Sequence, residues 1–396
     1  MVDQAPSTGD LRIGVVGFGL RRTVAEHAHR PGEGSCVVAV CDPSQRARDE
    51  ASEKFGEECA LVPSLDELLT LDLDAVMVLS PDHTHHDIVA ATLSAGLPTF
   101  CEKPLAISIE DADHLLDLAR EHRTKLYVGH NMRHMPVIRQ MKHLIDSGTI
   151  GRVRAVWCRH FVGAGGDFYF KDWHAEQQFT NTLLLQKGAH DIDVIHWLAG
   201  GYTTQVQGLG DLVVYGDIDD RRDNRDRLMW DWYSPDNWPP TEQRELNPVV
   251  DVEDISMLMM RLDNGVLASY QQCHFTPDYW RNYTIIGDAG RIENIGDRGG
   301  DQIHLWTSRR SEARSPDHIE VIDGGDGGHG GADPLLVDEF LRFVRVGGAT
   351  DVSVVAARQA VATAALGAES LRSDGGRRSV PPLNADLRAW FDNGQG

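Results

Sequence analysis

The fold of the first part of the chain is decided by one stretch, Leu11-Arg12-Ile13-Gly14-Val15-Val16-Gly17-Phe18-Gly19. Its first six residues are mostly apolar and β-prone, as in a short buried strand. The glycines that follow permit a tight turn into the helical pattern that comes next. A strand that passes through glycines directly into a helix predicts the start of a parallel, doubly wound α/β sheet.

Further apolar runs continue this pattern to about residue 130. They occupy residues 36–40, 75–79, 98–101 and 126–128, with helical patterns between them at 44–55, 86–95 and 108–122. Short strands that alternate with helices predict a Rossmann domain over residues 1–130. The second domain, residues 131–396, has longer, half-exposed strand patterns and separate helices, which is typical of an α+β arrangement. Its strands are predicted at 153–160, 203–214, 255–262 and 267–274, its helices at 136–147, 183–199, 334–346 and 352–373, and a glycine-rich loop at 324–331.

The bulk composition excludes several classes of partner. The 396 residues carry a formal net charge of −22 at pH 7, which repels nucleic acid and anionic membrane surfaces. The six cysteines are scattered without a Cys-x-x-Cys pair, which indicates free thiols in a reducing compartment. Residues 1–10 lack the apolar core of an export signal, and the sequence has no run of about 20 apolar residues for a membrane span. We therefore expect a cytoplasmic protein that binds a small molecule, with no nucleic-acid and no membrane partner.

The glycine turn and the end of the second strand indicate a dinucleotide site. Gly17 allows the turn, Gly19 allows close approach of a pyrophosphate, and the start of the next helix supplies N–H donors. Arg22 stands where the usual fingerprint has a third glycine. Asp42 ends the second strand, where a carboxylate binds the adenosine ribose hydroxyls and repels a 2′-phosphate. This favours NAD over NADP, although nearby arginines keep NADP open; an ordinary strand–helix turn and a helix cap at Asp42 are the alternatives.

Two polar segments follow the third and fourth strands, at the carboxyl edge where such sheets bind ligands. The first is Ser80-Pro81-Asp82-His83-Thr84-His85-His86, predicted to pack along the nicotinamide ribose. Its three histidines also permit a metal site, but no second ligand cluster has suitable spacing, so we expect no metal. The second is Cys101-Glu102-Lys103-Pro104. Pro104 holds Lys103 out of helical geometry, which presents the ammonium to polarise a hydroxyl or carbonyl oxygen.

The predicted helix 183–199 carries the candidate base. Helical spacing places Gln186, Lys187, His190 and either Asp193 or Val194 on one face. An imidazole titrates near neutral pH, so His190 is suited to take and return a hydroxyl proton. The alternative is a core histidine satisfied by its neighbours.

Together these segments resemble the glucose–fructose oxidoreductase/inositol dehydrogenase (Gfo/Idh/MocA) family over about residues 11–383. The matching residues are Gly17-Phe18-Gly19, Asp42, Ser80-Pro81-Asp82 with His85, Glu102-Lys103-Pro104, the Lys187…His190…Asp193 helix and Gly287-Asp288-Ala289-Gly290-Arg291-Ile292. The resemblance implies a Rossmann domain, a second domain on a large open, mostly antiparallel sheet, and homo-oligomers (dimers or tetramers) joined through those sheets. It also implies NAD(P)-linked oxidation or reduction of sugars, cyclitols or related polyols, with Lys103 and His190 as the catalytic residues.

The ligand contacts can be named residue by residue. The expected cofactor contacts are Gly17, Phe18, Gly19, Leu20, Arg21, Arg22, Asp42, Ser80, Pro81, Asp82, His85, Glu102 and Lys103. The candidate substrate contacts are Arg133, Trp173, His174, Gln186, Lys187, Asp193 and His274. Members of the family that resemble inositol dehydrogenases often carry aspartate at the position of Gln186. A glutamine cannot hold the charge that would support an imidazolium at His190.

The predicted reaction is reversible hydride transfer between a carbinol carbon and nicotinamide C4. His190 is the expected general base, and Lys103 orients and polarises the reacting oxygen. Two alternatives stay open. One is an NAD-dependent glycoside cleavage in which the cofactor stays resident, and the other is a non-catalytic dinucleotide sensor.

The segment 215–250 is charged at first and then rich in aromatic residues. It contains Trp230, Trp232, Tyr233 and Trp238. Large aromatic surface is seldom left in water without a partner, so we expect the segment to shape the substrate pocket or a subunit contact. The alternative is that its rings only cover the domain's own sheet.

Overall fold

The computed structural model describes residues 9–309, 312, 315–324 and 328–395. Two predictions fall partly outside these residues: the absence of an export signal in residues 1–10, and the loop at 324–331. The described strands are β1 Leu11–Val16, β2 Ser35–Cys41, β3 Ala60–Val62, β4 Ala75–Val78, β5 Thr99–Cys101, β6 Leu126–Val128, β7 Val153–Phe161, β8 Thr203–Asp211, β9 Ile255–Leu262, β10 Leu267–Cys273, β11 Trp280–Gly287, β12 Arg291–Ile295, β13 Gln302–Trp306, β14 His318–Val321 and β15 Arg378–Ser379.

The helices are interspersed with these strands and with short 3-10 turns. In chain order they are α1 Arg22–Ala28, α2 Gln45–Phe55, α3 Leu65–Leu68, α4 His85–Ser94, α5 Ile109–Glu121, α6 Pro136–Asp146, α7 Gly165–Tyr169, α8 Gln177–Thr180, α9 Leu183–Gln186, α10 Gly188–Ala199, α11 Ala332–Val346, α12 Val354–Leu371 and α13 Ala385–Asp392. Among the residues described, none of these helices is long and apolar enough to cross a membrane.

The first compact unit contains the chain up to His130 together with Asp333–Arg358 and the segment from Leu383 onward. Its sheet has the order β3-β2-β1-β4-β5-β6, and every neighbouring pair is parallel. All four residues of β4 are fully buried, as expected for a strand with helices on both faces. The predicted doubly wound parallel sheet is confirmed. The short edge strand β3 was not among the predicted strands.

Helix α11 belongs to the core of the first unit. Its Phe340 ring packs edge-on against Phe100, with 5.5 Å between centroids, and is tilted against Tyr127, with 5.8 Å between centroids. The sequence division placed this helix in the second domain, because an amphipathic pattern shows that a helix covers a sheet but not which sheet it covers. The domain boundary at residue 130 stays a prediction. The contacts show in addition that α11 returns to the first unit.

The second unit consists of Asn131–Ala332 and Gln359–Pro382. Its nine-stranded sheet has the order β14-β13-β12-β11-β7-β10-β9-β8-β15. The neighbouring pairs are antiparallel except for β10 and β7, which run parallel. Helix α10 packs on β7 and β10. The large, mostly antiparallel sheet that the family resemblance implies is confirmed.

Two predicted elements of the second unit are wrong in their limits. The single helix predicted over residues 183–199 is broken at Lys187 into α9 and α10. Gly188 starts the second helix where a Cβ would lie only 2.9 Å from the Tyr270 ring, so the helix begins in close contact with the sheet. Gln186 therefore ends α9, and Lys187, whose backbone angles are still helical, immediately precedes α10. The strand predicted over 203–214 ends earlier, at Asp211, because the Asp254 carboxylate accepts hydrogen bonds from three successive backbone N–H groups at residues 213–215 and turns the chain.

Candidate functional site

The glycine turn after β1 lies against the turn after β4. Gly17 has a φ of +89°, and a Cβ there would come within 2.7 Å of the Ser80 backbone, so only glycine fits. Its N–H donates to the carbonyl of Cys41 at 2.9 Å, which ties the turn to β2 as well. A Cβ at Gly19, by contrast, would meet no atom within 4 Å. The turn is thus fixed at its first glycine and open at its second.

Asp42 holds this turn from the end of β2. One carboxylate oxygen accepts the N–H of Phe18 at 2.9 Å, and the other accepts the N–H of Ser44 at 2.8 Å. The cap of α2 is Ser44, whose hydroxyl accepts the N–H of Ala47, so the alternative in which Asp42 caps this helix is wrong. The Phe18 ring is buried in the core, where it packs against Phe55, which leaves only its backbone for a ligand.

Arg21 joins the glycine turn to the Glu102-Lys103-Pro104 segment. Its guanidinium donates to Glu102 at 2.7 Å and to Asp333 at 3.0 Å. Burial opposes the charge, but the two carboxylates together raise the pKa of Arg21 above its ordinary value. The second oxygen of Glu102 accepts the backbone N–H of Lys103 at 2.9 Å. This buried carboxylate therefore fixes the backbone of Lys103, the candidate catalytic residue. Lys103 itself is half-buried.

The other residues predicted to contact the cofactor differ in their burial and in their contacts. Leu20 and Arg22 are half-buried, and Arg22 forms an ion pair with Glu50 of α2 at the position where the fingerprint has its third glycine. Because the Arg22 side chain extends to a neighbouring helix, the missing glycine does not disturb the turn. The hydroxyl of Ser80 lies 2.7 Å from that of Thr84, while Pro81 is half-buried and Asp82 is buried.

Two of the three histidines of this turn lie in different environments. His85 is fully buried, and its ring nitrogens lie 2.7 Å from the Pro104 carbonyl and 3.0 Å from the Ser80 carbonyl. His86 instead faces His114 of α5, with 2.9 Å between their ring nitrogens. Within the described ranges, no group of three or more metal-ligating side chains is arranged to hold an ion. His85 therefore braces the Lys103–Pro104 segment against the Ser80 turn, and the three segments predicted for the cofactor lie next to one another in the first unit.

His190 lies in the first turn of α10 in the second unit, where it is buried. Its ring centroid is 6.1 Å from that of His329, with 38° between the ring planes. His329 has a φ of +52°, a left-handed conformation that is uncommon for a residue with a side chain. The sequence reasoning missed His329 because it lies in a glycine-rich stretch more than a hundred residues away.

Arg133 and Asp193, both predicted to contact substrate, contact each other. The guanidinium donates two hydrogen bonds of 2.7 Å to the carboxylate, and both side chains are buried. The Arg133 guanidinium also lies 5.4 Å from the Trp197 ring centroid. This bidentate pair orients α10 one turn beyond His190.

Asp191 is a buried carboxylate that the sequence reasoning did not single out. It accepts hydrogen bonds from the hydroxyls of Tyr270 and Tyr283, and it lies 2.8 Å from His160 Nδ1 and 3.0 Å from Arg281 Nε. Burial alone would raise its pKa, but Arg281 and His160 hold the pKa of Asp191 below its ordinary value. The same carboxylate thereby anchors α10 to strands β7, β10 and β11. Its partners come from distant strands, so no local pattern indicated it.

The remaining substrate candidates gather near the start of α10. The Lys187 ammonium lies 6.0 Å from the Tyr169 ring centroid, and the rings of His174 and His274 meet the same tyrosine nearly at right angles. Trp173, which is half-buried, stacks on His174 at 3.7 Å. Burial, with smaller effects of His160 and Lys187, lowers the pKa of His274 to about 3. Gln186, at the end of α9, is buried.

The aromatic segment 215–250 packs on the chain around α7. The Trp232 indole is only 8% exposed and donates to the Asp167 carbonyl at 2.8 Å, while the Asp167 carboxylate accepts the amide of Asn237 at 2.8 Å. Tyr233 stacks on Phe168 and stays half exposed, and Trp238 is 46% exposed. The segment therefore divides into rings that cover its own unit and rings that face outward.

Comparisons with known proteins agree with this geometry. Residues 11–130 match the family profile described as "Oxidoreductase family, NAD-binding Rossmann fold", and residues 138–293 match the "GFO/IDH/MocA C-terminal domain". The oxidoreductase YteT of Bacillus subtilis (strain 168) is 26% identical over 77% of this chain and 82% of its own length. An inositol 2-dehydrogenase of Burkholderia ambifaria (strain MC40-6) is 33% identical, but the match spans 50% of this chain and 57% of that protein.

Among solved structures, levoglucosan dehydrogenase in complex with NADH and levoglucosan superposes with a TM-score of 0.75. It is 19% identical and covers 94% of this chain and 100% of its own, which is a likeness of fold. Two family profiles that match consecutive parts of the chain identify both halves of the architecture. The chain belongs to the Gfo/Idh/MocA family of NAD-dependent oxidoreductases, with the family's NAD-binding Rossmann domain followed by its C-terminal domain.

Proposed function

We propose that the protein catalyses reversible NAD-linked hydride transfer at a hydroxyl-bearing carbon of a sugar, cyclitol or related polyol. The observation that carries the proposal is the set of contacts around Glu102. This buried carboxylate binds Arg21 of the glycine turn and the backbone N–H of Lys103, so the turn and the lysine are fixed relative to each other. A sensor that only binds a dinucleotide has no need of a lysine whose backbone is held at this position. Inositol and levoglucosan dehydrogenases among the similar proteins support the substrate class.

The residues of the first unit fit NAD. The open space at Gly19 leaves room for a pyrophosphate that a larger residue would fill. Asp42 is held by two backbone N–H groups, and its oxygens retain lone pairs for a ribose diol. A 2′-phosphate at the same place would meet this carboxylate, so we propose NAD rather than NADP as the preferred cofactor.

The two candidate catalytic side chains have separate tasks in this proposal. When bound, the nicotinamide ring supplies the hydride acceptor or donor. The Lys103 ammonium donates a hydrogen bond to the reacting oxygen and stabilises the negative charge that develops there. The imidazole of His190 takes the hydroxyl proton and returns it in the reverse direction. The Arg133–Asp193 pair and the contacts of Asp191 keep α10, and with it His190, in place.

The test is a panel of sugars and cyclitols offered with NAD and with NADP, monitored by the appearance of NADH or NADPH. We expect NADH production from at least one polyol and a preference for NAD. Net-redox-neutral breakdown of a glycoside would point instead to the resident-cofactor reaction. Tight NAD binding with no turnover on any substrate class would point to the sensor.

We also propose that the protein forms homo-oligomers through the open face of its large sheet. Met259 is 64% exposed, and the strand register places it in one row with Ser269 and the exposed Trp157. The exposed pair of Leu209 and Met257 lies in the next row on the same face of the sheet, across β8 and β9. A contiguous apolar surface of this kind is typical of an interface, and a second copy offers the same surface. Sedimentation should show an oligomer that dissociates in Met259→Glu.

A further inference from the structure

The N-terminus of α10 is surrounded by nitrogen-bearing side chains. Lys187 occupies the capping position of this helix, and its ammonium lies 6.0 Å from the centre of the Tyr169 ring. The centroid of the same ring is 5.3 Å from that of His274 and 5.5 Å from that of His174. Lys187, His174 and His274 therefore form a cluster around the Tyr169 ring, beside the helix that carries His190.

Two buried polar atoms beside this cluster have no hydrogen-bond partner among the described residues. The first is the amide nitrogen of Gln272, whose oxygen lies 3.0 Å from the Tyr270 hydroxyl oxygen. Gln272 lies against the helix, because its oxygen is 3.4 Å from the place of a Cβ on Gly188. The second is Nε2 of His274, whose Nδ1 lies 3.3 Å from the Asp254 carbonyl. Unsatisfied buried polar atoms are costly and rare, and a bound ligand is one way to satisfy them.

Three nearby carboxylates already form ion pairs or hydrogen bonds with other groups. Asp191 binds Arg281 at 3.0 Å, and Asp167 binds Lys171 at 2.9 Å. Asp172 accepts the backbone N–H of His174, and the same oxygen lies 2.5 Å from the Nδ1 of that histidine. Each of these three carboxylates therefore has a basic partner of its own within the described part of the chain.

The charge of Lys187 adds to that of the helix terminus. The first backbone N–H groups of a helix carry positive partial charge, which attracts anions. Gln186, the residue immediately before, is neutral. Burial keeps the nearby His160 and His274 uncharged, since it lowers the pKa of each to about 3. The cluster thus offers positive charge and an amide donor, together with one imidazole acceptor.

We propose that this cluster binds a carboxylate, and that the substrate of the proposed dehydrogenase is a sugar acid such as a uronate or an aldonate. This inference rests on the proposed function and adds the substrate class to it. The Lys187 ammonium and the Gln272 amide donate to the carboxylate. His274 donates from Nδ1 to Asp254, so its Nε2 accepts a hydrogen bond from a hydroxyl next to the carboxylate.

The first experiment compares matched pairs of substrates that differ only in their acidic group, such as galactose with galacturonate and glucose with glucuronate. With NAD as cofactor, we expect kcat/KM to be about 10- to 100-fold higher for the acid, because hydrogen bonds to charged groups contribute that much. Raising the ionic strength should increase KM for the acid more than for the neutral sugar. Equal kcat/KM values for acid and neutral partners would overturn the proposal.

Variants of Lys187 sharpen this comparison. Lys187→Met keeps much of the length and removes the charge, so the ratio of kcat/KM for acid to that for neutral sugar should fall about 10- to 100-fold, mainly through KM. Lys187→Arg keeps the charge and should restore part of the ratio. Lys142→Met, which removes a lysine that pairs with Asp146 on α6, is the matched control and should leave the ratio unchanged. An unchanged ratio in Lys187→Met would overturn the proposal.

A binding measurement separates this proposal from the proposed function. Calorimetric titration of the NADH-bound protein with galacturonate and with galactose does not require turnover. Preferential binding of the acid that is lost in Lys187→Met supports the carboxylate site, even if no oxidation follows, in which case only the proposed dehydrogenase activity fails. Turnover of neutral sugars without any preference for the acid would overturn the carboxylate site alone.

Discussion

The glycine-turn region of the first unit and the start of α10 in the second unit use their polar groups in opposite ways. Around the turn, Arg21, Glu102 and Asp42 are bound to one another or to backbone N–H groups. At the start of α10, the buried Nε2 atoms of Gln272 and His274 have no hydrogen-bond partner within the described chain.

The difference indicates what each region has to bind. The pyrophosphate and nicotinamide parts of the cofactor are common to NAD and NADP, so a site for them can be held in shape by internal contacts before the ligand arrives. A substrate differs between members, and its site is completed by groups that the ligand itself satisfies. Variants in the two regions should therefore fail in different ways.

The largest effects are expected from the catalytic candidates, one in each unit. Lys103→Ala and His190→Ala should each lower kcat by ~10²–10⁴-fold, because proton transfer and charge stabilisation are lost. The affinity for NAD should stay within a few-fold of wild type in both. Steady-state kinetics and NAD titration check this. Near-normal kcat in His190→Ala would show that the base lies elsewhere.

In the second region, Arg133 and Asp193 form a buried ion pair with two hydrogen bonds. Asp193→Ala leaves a buried guanidinium without its carboxylate, so the free energy of unfolding should fall by about 3–5 kcal/mol. Chemical denaturation measures this loss. Exposed Asp146→Ala on α6 is the control and should change stability by less than about 0.5 kcal/mol. A raised KM with unchanged stability in Asp193→Ala would instead favour the predicted substrate contact.

Asp42 tests whether the first region also selects the cofactor. Asp42→Ala should weaken NAD binding about 10-fold and narrow its advantage over NADP, because hydrogen bonds to the ribose diol are lost and the repulsion of a 2′-phosphate is removed. Titration of both cofactors gives the two affinities. Wild-type protein that binds NADP more tightly than NAD would contradict the assignment of this carboxylate.

The smallest effects should separate two tryptophans of the aromatic segment. Trp232→Phe removes the hydrogen bond to the Asp167 carbonyl in a buried position and should lower stability by about 1–3 kcal/mol without changing KM. Trp238→Ala, on the outward side, should leave stability within about 0.5 kcal/mol and change KM or the sedimentation coefficient. If Trp238→Ala alters only thermal stability, its ring packs on its own unit.

The sequence predicted the first region well because each of its parts is local. The glycines, Asp42 and Glu102-Lys103-Pro104 each follow a strand end, and the parallel sheet brings successive strand ends to one edge. The start of α10 was predicted less completely. The break at Lys187 depends on close packing of Gly188 against Tyr270, and the role of Asp191 depends on partners from three strands. Such contacts join residues tens of positions apart, which periodicity and composition do not encode.

The return of α11 to the first unit has a consequence for biosynthesis. Phe340 and Phe343 complete the core beside Phe100 and Tyr127, yet they emerge from the ribosome long after residue 130. At translation rates of about 5–20 residues per second, the nascent Rossmann sheet waits on the order of tens of seconds with this apolar surface uncovered. Chaperones that shield hydrophobic surface would therefore meet the amino-terminal part of this chain throughout the synthesis of the second unit. A gene fragment that stops at residue 130 should yield aggregated protein, whereas one in which the codons for residues 333–358 are joined to that fragment through a flexible linker should yield more of it in soluble form.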